Sequence, residues 1–136
     1  MIRDSEEGLL WSSVSPYQLL HVKRLNDALH WKYTQYAQFN EDDSMIMVSG
    51  VHFGQNNTTG EIAVFEIDLA AGLLFRSRAI NKPYDVFGCW FDNQHLLCGE
   101  LSWWMNEMAS SSDIYICCAD PDTVSPNTPV IMPLFR

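Results

Sequence analysis

Hydrophobic and polar positions along the chain follow a short-strand rhythm. Gly8 to Ser12 holds Leu9, Leu10 and Trp11, and Tyr17 to Val22 follows the turn at Ser15-Pro16, so both read as strands. The stretch from Leu19 to Trp31 also fits an amphipathic helix, because Val22, Leu25, Ala28 and Leu29 share one face; strand plus linker is the preferred reading. Tyr33 to Phe39, Ser44 to Ser49, Glu61 to Ile67 and Leu73 to Ser77 then form a complete four-strand unit. Its turns lie at Asn40 to Asp43 and at Ala71-Gly72. A second unit has strands over Val86 to Phe91, His95 to Cys98, Ser112 to Cys117 and Pro129 to Pro133, with a long connection from Glu100 to Ser111. The three prolines and polar spacers from Asp120 to Pro129 predict a loop.

The two units are joined by Asn81-Lys-Pro-Tyr-Asp-Val-Phe-Gly-Cys-Trp90. Pro83 fixes its own φ and pushes Lys82 away from helical angles, so Asn81 to Asp85 is a turn that aims the chain into the next strand. A step of 51 positions separates Tyr36 from Phe87, and one of 52 separates Glu61 from Asp113. Self-similarity at that interval, with several short strands per unit, is the signature of propeller blades. The expected fold is all-β: a partial β-propeller of about two and a half blades of four-stranded antiparallel sheet. Residues 1–30 would hold the outer strands of an upstream blade and a linker, 31–80 a complete blade, and 81–136 the following blade with its Pro-rich tail. On this reading the chain begins in the middle of a blade.

Composition narrows the function classes. A net charge of −9 with eight Lys and Arg in 136 residues argues against a nucleic-acid partner, whose phosphates require clustered cations. No apolar run approaches a membrane span and the N-terminus has no signal-peptide plan, so a soluble, cytoplasmic protein is expected. Cys89, Cys98, Cys117 and Cys118 lack the spacing of a zinc or redox motif and read as buried reduced thiols. The acceptor patterns at Asn56 and Asn57 read as a polar turn.

Catalytic chemistry is not indicated. His21, His30, His52 and His95 are scattered, and there is neither a nucleophile elbow nor a glycine-rich phosphate loop. Glu41, Asp42 and Asp43 lack the glycine and distal glutamate of a calcium loop, so they read as a solvated hairpin tip; no metal or cofactor is expected. The connections Val51 to Gly60, Asn81 to Asp85 and Glu100 to Ser111 would open on one face of a propeller. They carry the candidate protein-binding residues His52, Lys82, Tyr84, Trp103 and Trp104. The competing roles are structural: Trp103 and Trp104 as a plug between blades, Tyr84 and Asp85 as residues that hold the link in shape.

Three stretches carry a family resemblance: Trp31-Lys-Tyr-Thr-Gln-Tyr-Ala-Gln-Phe-Asn-Glu-Asp-Asp-Ser44, Gly60-Glu-Ile-Ala-Val64 and Asn81 to Trp90. They resemble the WD-repeat region of the F-box/WD-repeat proteins, a family of ubiquitin-ligase substrate receptors. The resemblance implies a propeller that holds a protein substrate while an F-box elsewhere docks an SCF-type adaptor and cullin. Two departures stand out. The chain has no F-box-like helical segment and no literal Trp-Asp pair, since Ser12 follows Trp11 and Glu66 follows Phe65. Ligase recruitment would then belong to a longer parent protein, and a WD-repeat scaffold with no ligase connection is the alternative.

Overall fold

The computed structural model describes residues 7–53, 58–81, 88–104, 106, 108–121 and 130–135. Strands β1 (Glu7–Trp11) and β2 (Leu19–Arg24) form a two-stranded antiparallel sheet, and the single-turn helix α1 (Leu25–Leu29) follows. Strand plus linker and helix were rival readings of this stretch, and each holds for part of it. One turn of helix buries Leu25 and Leu29, which lie four residues apart on one face. The strand is displaced from the expected Tyr17 start, and Tyr17 is exposed.

Next come β3 (Trp31–Phe39), β4 (Met45–Phe53), β5 (Thr58–Asp68) and β6 (Gly72–Ile80), hydrogen-bonded in that order as one antiparallel sheet. A second four-stranded sheet runs β7 (Cys89–Trp90), β8 (His95–Trp104), β9 (Ala109–Cys118) and β10 (Val130–Phe135), also in sequence order. Pro133 is accommodated because β10 is the edge strand, and the register slips on both sides of it. The strand expected over Val86 to Phe91 is observed at Cys89–Trp90; residues 82–87 lie outside the described residues.

Register decides which side chains share a face. Met47 pairs with Val64 and Ser49 with Ile62, while Val48 pairs with Ala63 and Ile46 with Phe65. Successive residues on a strand point to opposite sides, so the β3–β6 sheet has two apolar faces. Met47, Ile62, Val64 and Ala79 pack on one face against Leu96, Cys98, Cys117 and Ala119 of the second sheet. On the other face Val48, Ala63, Phe65 and Leu73 meet Leu25, Leu29 and Trp31. Each large side chain fully withdrawn from water in these layers contributes roughly 1.5–3 kcal/mol. A strand buried on both faces reads as a continuous apolar run, as Ile62 to Phe65 does.

The chain turns tightly between strands. Gly72 adopts φ 89, in the left-handed region open to glycine, and packs against the His21 ring; His21 Nε2 donates to the Leu69 carbonyl at 3.1 Å. That contact ties the β1–β2 unit to the β5–β6 turn. Among the described residues no helix is long and apolar enough to cross a membrane.

Candidate protein-binding face

The junction between the two four-stranded sheets is fixed by polar contacts as well as by its apolar layer. Trp90 Nε1 donates to the Gln38 carbonyl at 2.9 Å, and Ser77 Oγ donates to the Ala119 carbonyl at 2.7 Å. Asn81, with 1% of its surface exposed, accepts the Gly99 N–H on Oδ1 at 2.9 Å and donates its own N–H to the Gly60 carbonyl at 2.8 Å. At one end of the strands Asn93 bridges the sheets, its carbonyl accepting from Asn40 Nδ2 and its Oδ1 from the Asp42 N–H, both at 3.2 Å. Buried polar groups paired in this way fix orientation as well as distance.

A second network lies on the opposite face of the β3–β6 sheet. Trp31 Nε1 donates to Glu61 Oε2 at 2.7 Å, and the same carboxylate oxygen is ion-paired with Arg78. The ring of Trp31 covers Gly50, where a Cβ would come within 2.3 Å of it. Neither network was anticipated from the residues. The recurring Glu-x-x-x-aromatic pattern at Glu7 to Trp11 and Glu61 to Phe65 was the available signal.

The hairpin tips are electrostatically defined. Asp42 accepts from the Ser44 hydroxyl and backbone N–H, which hold its carboxyl below the usual carboxylate value. Asp68 is lowered by the N–H groups of Ala71 and Ala70. Asp92 is lowered by the Gln94 N–H and then by the His95 side chain, whose Nδ1 lies 2.8 Å from Oδ2. These carboxylates serve turns. Among the described residues no three His, Cys, Asp or Glu side chains come together as metal ligands.

The candidate binding residues fall differently from expectation. His52 is a half-buried strand residue, paired with Trp31 on one side and Thr59 on the other, because β4 and β5 continue to Phe53 and Thr58 where a loop was expected. Lys82 and Tyr84 lie outside the described residues. The Glu100 to Ser111 connection is mostly sheet, with the β8–β9 ladder extending to Trp104 opposite Ala109. Trp103 and Trp104 are therefore strand residues near a hairpin tip, 72% and 56% exposed, and they do not plug a gap between the sheets. Adjacent on one strand, they face opposite sides of the hairpin. Met108, 96% exposed, lies at the tip beside them. Apolar side chains this exposed at one end of a sheet stack suit contact with another protein.

The cysteines correct one expectation. Cys98 and Cys117 are buried and Cys118 is half-buried, but Cys89 is exposed on the far face of the second sheet. All four are free thiols.

Two four-stranded antiparallel sheets, stacked face to face with a two-stranded sheet beside them, define a partial WD-repeat β-propeller. The chain is 41% identical over 128 residues, 93% of its length, to human F-box/WD repeat-containing protein 5, and 40% identical over the same length to the rat and mouse proteins of that name. It spans 22% of the length of these relatives. No family model matches the chain, and no solved structure matches it significantly.

Proposed function

We propose that the chain is part of the substrate-recognition propeller of an F-box/WD-repeat receptor for a cullin-RING ubiquitin ligase. The observation that carries the reading is the 41% identity along 93% of the chain to a protein named for both modules, combined with blades of the matching architecture. In this role the chain is a non-catalytic grip for a protein substrate. The β8–β9 tip, with Trp103, Trp104 and Met108, supplies anchor side chains, and Lys82 and Tyr84 are further candidate contacts. Substrate is held there while an F-box elsewhere in the full-length protein docks an SCF-type adaptor and cullin. The work takes place in the cytoplasm.

Affinity capture of the full-length protein tests it. Recovery of an SCF-type adaptor and a cullin is the expected result. Capture that brings down propeller-bound proteins without either would sink the ligase reading and leave a WD-repeat scaffold.

A further inference from the structure

From Pro83 to Phe135 the chain carries no Lys or Arg, while seven Asp and Glu fall in the same stretch, so most of the net charge of −9 sits in the second unit. Within it Ser110, Ser111 and Ser112 run consecutively on β9, beside the exposed Trp103, Trp104 and Met108. The ladder makes the three hydroxyls unequal. Trp103 pairs with Ser110 and Ser102 with Ser111, so Ser110 shares the Trp103 face, whereas Ser111 lies on the face of Trp104 and accepts its indole N–H at 3.3 Å. Ser110 and Ser112 are exposed and Ser111 is half-buried.

Spacing separates Ser110 further. Among the Ser and Thr of the chain only Ser110 and Thr58 have a carboxylate three positions on, at Asp113 and Glu61 respectively. Glu61 is 8% exposed and is taken by Trp31 and Arg78, so an enzyme arriving from solvent cannot read it. Asp113 is half-buried on the strand that bears Ser110. The β10 ladder reaches β9 only as far as Ile114, so among the described residues 109–112 pair with β8 alone and keep their outer edge open. An enzyme that takes its acceptor as an extended strand meets one already extended.

We propose that Ser110 is a phosphorylation site for an acid-directed Ser/Thr protein kinase, and that the phosphate switches off the Trp103 side of the β8–β9 tip. Ser110 Oγ attacks the γ-phosphorus of a nucleoside triphosphate; the new P–O bond replaces the one to the leaving diphosphate, and the hydroxyl proton passes to the kinase's catalytic carboxylate. A kinase that selects basic flanks finds no Lys or Arg beside this acceptor. The product carries about −1.5 to −2 at neutral pH directly across the ladder from Trp103, at the roughly 4.5–5.5 Å that separates paired Cβ atoms. An apolar partner covering that indole would have to strip water from the phosphate, so it is released. Trp104, on the other face, keeps its bond to Ser111. The release rests on the reading of the tip as a protein grip, whereas the phosphoryl transfer does not.

The test is the 136-residue chain incubated with ATP and casein kinase II, an acid-directed enzyme. Mass spectrometry should place a single phosphate on Ser110. Ser110→Ala should abolish incorporation, Ser112→Ala should leave it, and Asp113→Asn, shown to be folded by its amide spectrum, should slow it about tenfold or more. In the modified chain the Trp103 indole N–H resonance should move while that of Trp104 stays. Absence of incorporation overturns the proposal. So does phosphate on Ser111, Ser112 or Thr58 in place of Ser110, or a shift at Trp104 instead of Trp103. In the full-length protein, a partner that Trp103→Ala releases by about tenfold should be released as strongly by phosphorylation of Ser110, and one that stays bound overturns the switch. Affinity capture without adaptor or cullin would sink the ligase reading alone, because the Ser110 map and the indole shift involve neither.

Discussion

The indole of Trp31 lies on the backbone of Gly50, close enough that a Cβ would meet ring atom Cε3 at 2.3 Å. The ring is thereby held with Nε1 toward Glu61, which Arg78 neutralises from the neighbouring strand. Gly50→Ala should displace the ring and cost about 1–3 kcal/mol, the usual penalty for overpacking a filled site. Arg78→Met should cost more, on the order of 3–5 kcal/mol, because it leaves Glu61 covered without a countercharge. Denaturant unfolding at neutral pH would show both changes, and a Gly50→Ala protein as stable as its parent would show that the ring is not confined.

Gly88 is a second point of close approach. A Cβ there would meet Ile62 Cδ1 at 2.2 Å and the Leu97 carbonyl oxygen at 2.9 Å. Gly88→Ala should destabilise by about 1–3 kcal/mol. Ile62→Val removes the nearer obstacle and alone costs about 0.5–1.5 kcal/mol. In the Gly88→Ala background it should instead restore part of the lost stability, with the Leu97 carbonyl limiting the rescue. Additive losses in a double-mutant cycle would place the two sites apart.

The blades were legible in the sequence because strands packed on both faces read as short apolar runs bounded by turn residues. Met45 to Val48 and Glu61 to Ile67 announced strands, and the step from Tyr36 to Phe87 announced their repetition. The β8–β9 tip was not legible. Ser110, Ser111 and Ser112 have the composition of a loop, yet hydrogen bonding of the backbone extends the ladder to Trp104 and Ala109 regardless of side-chain polarity. The binding role expected of His52 lost its loop for the same reason. Asn81 was recognisable as a turn residue. Its capture of the Gly99 N–H depends on a strand 18 positions away, which no local pattern encodes.

Acid should loosen the hairpin tips. The carboxyls of Asp42, Asp68 and Asp92 are held below their ordinary value in the folded protein, chiefly by Ser44, by the Ala71 N–H and by the Gln94 N–H respectively. A carboxyl whose pKa is depressed by folding stabilises the protein above its unfolded value and loses that contribution as pH falls through the folded value. The loss should therefore begin near pH 4 and continue below it. Asp42→Asn or Asp92→Asn should flatten the acid limb of a stability-against-pH curve, and an unchanged limb would remove these turns as its origin.

Thiol reactivity should rank the cysteines by burial. Cys89 is exposed and should react with a maleimide first, followed by half-buried Cys118. The Cys98 thiol is pushed up by its hydrogen bond with Cys117 and then by burial, which deprives it of the reactive thiolate at neutral pH. Cys98 and Cys117 should label only as fast as the chain unfolds. Mass spectrometry of a labelling time course gives the order, and early modification of Cys98 or Cys117 would contradict the packed inter-blade layer.

Trp103 and Trp104 should not act as one anchor. They are 72% and 56% exposed on opposite faces of the hairpin, and Trp104 is further held by a 3.3 Å hydrogen bond from Nε1 to Ser111 Oγ. A flat partner surface can cover one face of a two-stranded ribbon at a time. In the full-length protein, Trp103→Ala and Trp104→Ala should then differ, one weakening capture of a given partner at least tenfold and the other leaving it nearly unchanged. Stability should move by no more than about 0.5 kcal/mol in either, as for exposed sites generally. Equal losses would mean a partner that clamps the hairpin from both sides, and loss of soluble protein would place the indoles in a packed layer.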